Sequence, residues 1–166
     1  ANLKEKEIVG SMVVLTNGEL DKKEYRKFNI RRQGQDDPRA LAEVLSRRLN
    51  HQDWPYPQLI VIDGGLPQLR PIIKVVRKHN LLGEVGVLGI AKENETLVVP
   101  IFKAEKEKPR FEEIRFKQIN LPKNSPGLHL IQLSRDEAHR FAQKYLHKKM
   151  ESNSNKYRLN NKIKQE

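Results

Sequence analysis

An aspartate closes the apolar run in "QLIVIDGGLPQLRP", residues 58 to 71. Four apolar side chains precede Asp63 and two glycines follow it, so the carboxylate stands where a buried strand gives way to a turn. A charge there loses hydration unless something nearby satisfies it. Ligands of open α/β sheets gather beyond the carboxyl ends of parallel strands, and Gly64 with Gly65 would let the backbone turn sharply and admit a bulky group. Asp-Gly is equally a common turn pair, so Asp63 as a plain cap on the turn or on the next helix stands beside the functional reading. A second group comes from "SRDEAHRFA", where His139 lies three positions from Asp136 and four from Arg135 and Gln143, beside an apolar stripe. An imidazole there suits metal ligation or proton transfer near neutral pH, or a boundary histidine bonded to Asp136. Glu137 and Arg140 read as members of an ordinary solvated helix face.

Other chemistries find little support. The chain has no Cys, which excludes disulfides and thiolate metal sites and leaves carboxylate, imidazole, carbonyl or water as metal donors. His51, His79, His129 and His147 recur at no metal-ligand spacing, and there is no Walker loop, no G-x-G-x-x-G and no G-x-S-x-G. Lys and Arg number 32 against 21 acidic residues, a net charge of +11 and a pI near 9.9, which favours a polyanionic partner such as nucleic acid or an anionic membrane surface. No apolar run approaches the roughly 20 residues of a spanning helix and no signal-peptide pattern opens the chain, so a cytoplasmic protein with no membrane partner is expected.

The elements that must position Asp63 and His139 follow from patterning. "VGSMVVL", the Asn-Gly pair of "TNGEL" and the alternation through Tyr25, Phe28 and Ile30 predict an antiparallel hairpin. "PRALAEVLSRRLNH" has apolar residues at helical spacing, with Asp36 or Asp37 as its cap and Pro38 in its first turn. "LIVID" reads as a strand covered on both faces. Pro67 and Pro71 delay the next helix, which "IIKVVRKHNLL" carries until Gly83 stops it. "VGVLGIAK" and "LVVPIF" are strands, and the charged stretch "KAEKEKPRFEEIRFKQINLPKNSP" is a mobile or hairpin insertion. Ser125 to Lys149 is the longest helix, striped by Leu128, Ile131, Ala138, Phe141, Ala142 and Tyr145. From Lys144 onward there are seven Lys or Arg and two Glu, and residues 151–166 are expected to form a basic, flexible, solvated tail or a nucleic-acid arm behind a single domain of residues 1–150. The order predicts an α/β fold with a mixed sheet and helices on both sides.

Taken in order, "VGSMVVLTNGELDKKEYRKFNI", "GQDDPRAL", "LIVIDGG", "GIAK" and "NSPGLHLIQLSRDEAHRFA" resemble the C-terminal endonuclease half of the bacterial excinuclease subunit UvrC, from about Ile8 to Lys149. The resemblance implies an RNase H-like mixed sheet with flanking helices that cuts damaged double-stranded DNA on the 5′ side of a lesion in nucleotide excision repair, using Mg²⁺ or Mn²⁺. UvrB is the implied protein partner, through regions of the full protein outside these residues. The family's second catalytic aspartate falls on Asp63, its histidine on His139, and a further acidic residue on Asp37 of the Asp36-Asp37 pair. Its first aspartate would lie immediately upstream of Ala1, on a first strand expected to be truncated here. Leu66, Pro67 and Gln68 replace the family's Lys-Gly-Gln.

Phosphodiester hydrolysis needs an in-line water, neutralisation of charge on the transition state and a stabilised leaving oxygen. On this reading Asp63 and His139 hold the metal, with His139 as ligand or proton-transfer group, and Asp37 positions the water or caps its helix. DNA contact is expected from Tyr25, Arg26, Lys92, Arg135 and Arg140, chiefly to phosphates. The alternative is a DNA-binding module of the same fold that lacks a complete catalytic set.

Overall fold

The computed structural model describes residues 7–31, 38–91, 93–103 and 109–163. Asp36, Asp37 and Lys92 lie outside them, so the expectations placed on those three residues have no structural counterpart below.

The hairpin forms as the sequence predicts, in two tiers. β1 (Glu7–Met12) pairs antiparallel with β4 (Arg26–Arg31), Val9 opposite Asn29 and Gly10 opposite Phe28. Between them β2 (Leu15–Thr16) and β3 (Glu19–Leu20) make a small second ladder around Asn17 and Gly18, whose φ angles of 53° and 80° are the left-handed pair a two-residue turn requires. α1 (Pro38–Leu49) lays Ala40 and Val44 on Phe28 and Ile30 of β4. Its other apolar residues, Leu45 and Leu49, join a larger core.

That core is built on a mixed four-stranded sheet of order β5-β6-β7-β8: β5 (Leu59–Asp63), β6 (Gly86–Ala91), β7 (Thr96–Ile101) and β8 (Arg115–Ile119), parallel between β5 and β6 and antiparallel elsewhere. Strand alternation sorts the side chains between two layers. Ile60, Ile62, Val87 and Val98 face α1 and α2, whereas Val61, Leu88, Ile90, Leu97 and Val99 form a second cluster with Ile131 of the last helix. Helices therefore cover both faces, as expected. The hairpin does not continue this sheet: among the described residues no ladder joins β1 or β4 to β5, and α1 with the last helix spans the two parts instead.

Two expectations need correction. α2 runs Leu66–Lys78, starting well before Ile72. Pro67 sits in the first turn, where its missing N–H costs nothing, and the partner that Pro71 forgoes is the carbonyl of Pro67 in that same turn. Leu69, Ile72, Ile73 and Val76 are all fully buried, and this stripe outweighs the proline penalty. The helix ends at Asn80, in the left-handed conformation at φ 60°, before Gly83 is reached.

The charged insertion takes the hairpin alternative: it contains the strand β8, antiparallel to β7 and preceded by a short 3₁₀ turn, Phe111–Glu113. It is an edge strand with Arg115 and Lys117 exposed, charges that keep a sheet edge from pairing with another chain. Finally, α3 runs Pro126–Ile163, straight past Lys149 where fraying was expected. No Gly or Pro follows Gly127, so no backbone breaker interrupts the helix. Residues 150–158 are exposed.

Candidate active site

Asp63 is the last residue of β5 and shares the face of Val61, so alternation turns its carboxylate towards α3. The chain leaves the sheet one residue later, with the Gly64 N–H donating to the Ile90 carbonyl at 3.0 Å. At Gly64 φ is +154°, which favours glycine, and Gly89 on β6 packs so closely that a Cβ there would run into the Gly64 carbonyl oxygen. Two glycines on neighbouring strands thus bring the turn after Asp63 down onto the sheet.

α3 crosses above this strand end. Ser11 of β1 donates from Oγ to the Ala138 carbonyl at 3.2 Å, tying the helix to the hairpin one residue before His139. On the N-terminal side, Gln132 and Arg135 both reach Glu95 in the turn between β6 and β7, Arg135 at 3.4 Å. Held at both points, α3 places His139 Nε2 2.5 Å from Asp63 Oδ2. A carboxylate accepts, so Nε2 carries the proton of this bond. The expected bond to Asp136 is not the one His139 makes: Asp136 pairs with Arg135 at 3.0 Å.

The other carboxylate oxygen, Asp63 Oδ1, is buried and has no hydrogen-bond partner among the described residues. A buried carboxylate oxygen left unpaired is costly, and a cation satisfies it directly. The donor set, one carboxylate and one half-exposed imidazole, is hard oxygen with borderline nitrogen, which suits Mg²⁺ or Mn²⁺. Among the described residues no third Asp, Glu, His or Cys joins them. Mg²⁺ commonly takes one or two protein carboxylates and completes its shell with water and substrate phosphate, so a sparse protein shell still fits.

The residues expected at the DNA are engaged with the protein. The Tyr25 hydroxyl donates to Glu137 Oε1 at 3.1 Å and its ring meets Phe141 edge-on at 5.1 Å. Arg26 donates to the Lys23 and Tyr25 carbonyls and lies 4.6 Å from the Trp54 ring centre. Arg135 is paired with Glu95 and Asp136, and Arg140 grips Glu137 through two bonds of 2.7 and 2.6 Å.

Glu137, read from the sequence as part of a solvated face, is buried at 7% exposure. Its two partners, Arg140 and Tyr25, explain how a carboxylate is kept there: the Arg140 guanidinium holds its acid below the usual carboxylate range against the cost of burial, and the Tyr25 hydroxyl helps. Tyr25 in turn is pushed up to about 12, by burial first and by the Glu137 carboxylate second. Sequence spacing offered one signal for this network, the i, i+3 placement of Glu137 and Arg140, and none for Tyr25 across the chain. The basic cleft beside the network also escaped notice, although Arg140, Lys144 and Lys148 recur at i, i+4 along α3.

Residues 1–143 match the UvrC RNase H endonuclease domain. The chain is 43% identical over 138 residues to the UvrABC system protein C of Syntrophotalea carbinolica, covering 81% of this chain and 22% of that relative. It is 42% identical over 146 residues to the protein of the same name from Chlorobium phaeobacteroides, covering 86% and 21%. With that of Dictyoglomus thermophilum the identity is 37% over 155 residues, covering 92% and 23%. The chain thus spans about a fifth of the length of these relatives.

Proposed function

The chain belongs to the UvrC RNase H endonuclease domain family, and from that premise we propose that it hydrolyses one phosphodiester bond of damaged duplex DNA, making the 5′ incision of nucleotide excision repair with a divalent metal. One observation carries the reading. The aspartate at the end of β5 and the histidine of α3 meet at 2.5 Å while the second carboxylate oxygen of Asp63 lies buried and unpaired.

In such a site Asp63 would hold the cation, with His139 as a second ligand or as the proton-transfer group, and the cation would supply charge neutralisation at the phosphoryl oxygens and activate water. The chain's own groups supply position and protons. β5 and the two-glycine turn fix the Asp63 carboxylate, whose Oδ1 makes no hydrogen bond among the described residues. In the proton-transfer role His139, aimed by its bond to Asp63 Oδ2, would act as the imidazolium, giving a proton to the leaving oxygen as its bond to phosphorus breaks and returning to neutral imidazole. With 53% of its side chain exposed, His139 can afterwards be reprotonated from solvent. The high positive charge, +11, suits a partner gripped by its phosphates without reading of sequence. UvrB is the protein partner that fits, since the relatives carry the name of the UvrABC system.

The test is nicking of a damaged duplex by the protein at its natural length, with UvrB present and Mg²⁺ or Mn²⁺ supplied. Metal-dependent cleavage 5′ of the lesion is expected, and its loss in Asp63→Asn; cleavage at the parent rate by Asp63→Asn overturns the assignment. A second reading, a DNA-binding module without cleavage, draws on the finding that the described residues gather only two metal donors. Metal-independent binding with no nicking in the same assay selects it.

A further inference from the structure

Between the hairpin and α3, where Arg140 and Tyr25 meet Glu137, lies a cleft of about 250 Å³ lined by five cations and two aromatic rings. Lys144 and Lys148 line it from α3, Lys22 from the 3₁₀ turn Lys22–Glu24, and Lys27 from β4. These four lysines have no ion-pair partner among the described residues. The fifth cation, Arg140, is paired with Glu137, and that buried carboxylate also accepts from Tyr25 and feels Lys22, so one acid stands beneath five cations. Four positive charges in one concavity repel one another, and a protein keeps such an arrangement at a cost that an anionic ligand removes.

We propose that this cleft is a track for the phosphodiester backbone of the DNA strand that flanks the reacting phosphate. The proposal rests on the endonuclease reading and adds to it the groups that place the strand. Its geometry fits a repeating polyanion better than a small anion. At 1.5 Å rise per residue, Arg140, Lys144 and Lys148 stand about 6 Å apart along one face, a row of about 12 Å. One DNA strand advances about 3.4 Å per phosphate along the duplex axis, so the row matches three or four successive phosphates.

The aromatic residues of the cleft argue for backbone binding over base stacking. Lys27 Nζ lies 5.0 Å from the Phe141 ring centre and 4.4 Å from that of Tyr145, and Tyr25 covers Phe141 from the edge. The rings are thus spent on ordering the lysine head, which leaves it poised in the cleft with part of its side-chain entropy already lost. A strand held this way is read by charge and spacing alone, as an enzyme acting at lesions in any sequence context requires.

The experiment measures binding of the protein at its natural length to a damaged duplex across about 50 to 200 mM salt, in an Asp63→Asn background so that nothing is cut. The variant of the cleft combines Lys22→Gln, Lys27→Gln, Lys144→Gln and Lys148→Gln. Every phosphate that is no longer neutralised flattens the slope of log K against log salt by about 0.9, so a decrease of about 3 to 4 is expected, equal for duplexes of unrelated sequence. The control removes four exposed lysines elsewhere, Lys74→Gln, Lys78→Gln, Lys117→Gln and Lys123→Gln, and keeps the parent slope. An unchanged slope in the cleft variant overturns the proposal, as does an equal decrease in the control, and so does tighter binding to phosphatidylserine vesicles than to duplex at the same salt. With nicking measured separately in the protein that keeps Asp63, a flattened slope without any nicking would refute the endonuclease reading while leaving the track standing; nicking with an unchanged slope would do the reverse.

Discussion

Asp63 and His139 are 76 positions apart in the chain and 2.5 Å apart in space. Neither helix propensity nor strand pairing demands that proximity. It follows from a strand that ends in a carboxylate, on the face that alternation gives to α3, and from a helix pinned in the two turns before the histidine by Glu95 and Ser11. Because the His139 side chain is half exposed, its removal should leave the fold intact. His139→Ala is expected to change stability by no more than about 1 kcal/mol, as for most surface substitutions, while cleavage falls by about 100-fold or more, the range for a missing proton-transfer group. Thermal unfolding and single-turnover nicking on the same preparations separate the two effects.

The unpaired Asp63 Oδ1 makes a prediction that needs no DNA. Titrated with Mn²⁺, the protein should show paramagnetic broadening first at the amides of Gly64 and Gly65 and at the His139 ring, and Asp63→Asn should abolish that selectivity. Broadening spread over the exposed carboxylates in both proteins would mean that the orphaned oxygen attracts no cation.

Gly89 lies on β6, outside any motif that contains Asp63, yet it governs the turn after it. A Cβ there collides with the Gly64 carbonyl, which belongs to the backbone and cannot swing aside. Gly89→Ala is therefore expected to cost about 1–3 kcal/mol, as overpacking does, and to lower cleavage even under conditions where the protein remains folded, because the displaced turn carries Asp63 with it. Chemical denaturation with nicking at matched folded fraction checks it.

How far the sequence disclosed this arrangement depends on the range of the interaction. Patterns of two to four residues showed α1, β5, β6, β7 and the two-residue turn at Asn17 and Gly18, since strand alternation and turn chemistry are local. Asp63 stood out for the same reason, a charge at the end of an apolar run. β8 did not, because an edge strand carries charge on purpose; nor did the early start of α2, because four fully buried side chains outweigh two prolines and burial is not local. Glu137 is the clearest miss. On a helical wheel it is one more charge near Arg140, and only the arrival of Tyr25 from 112 positions away makes it a buried acid.

That buried acid should hold the hairpin to α3. Glu137→Gln keeps the shape but loses the charge that two partners address, and a loss of about 1.5–3 kcal/mol is expected, the range for hydrogen bonds to a charged group. Because Tyr25 and Glu137 touch, Tyr25→Phe and Glu137→Gln should be non-additive, with a coupling of about 0.5 kcal/mol or more in a double-mutant cycle. Strict additivity in urea denaturation would show that the hydrogen bond contributes nothing.

The same hydrogen bond gives the protein an alkaline limit. Burial, and then the Glu137 carboxylate, raise the Tyr25 hydroxyl from its ordinary 10 to about 12, so the folded state binds this proton more tightly than the unfolded state. The stability that the neutral phenol contributes is therefore whole below pH 10, declines as pH rises above 10 and is gone above about 12, where the folded form also loses the proton. Difference absorbance should show a tyrosinate step near pH 12 that vanishes in Tyr25→Phe, and the parent should lose more stability between pH 9 and 11 than that variant does. If both proteins decline in parallel, the hydroxyl is not the group that couples folding to pH, and Tyr25 ties the hairpin to α3 through its ring against Phe141 alone.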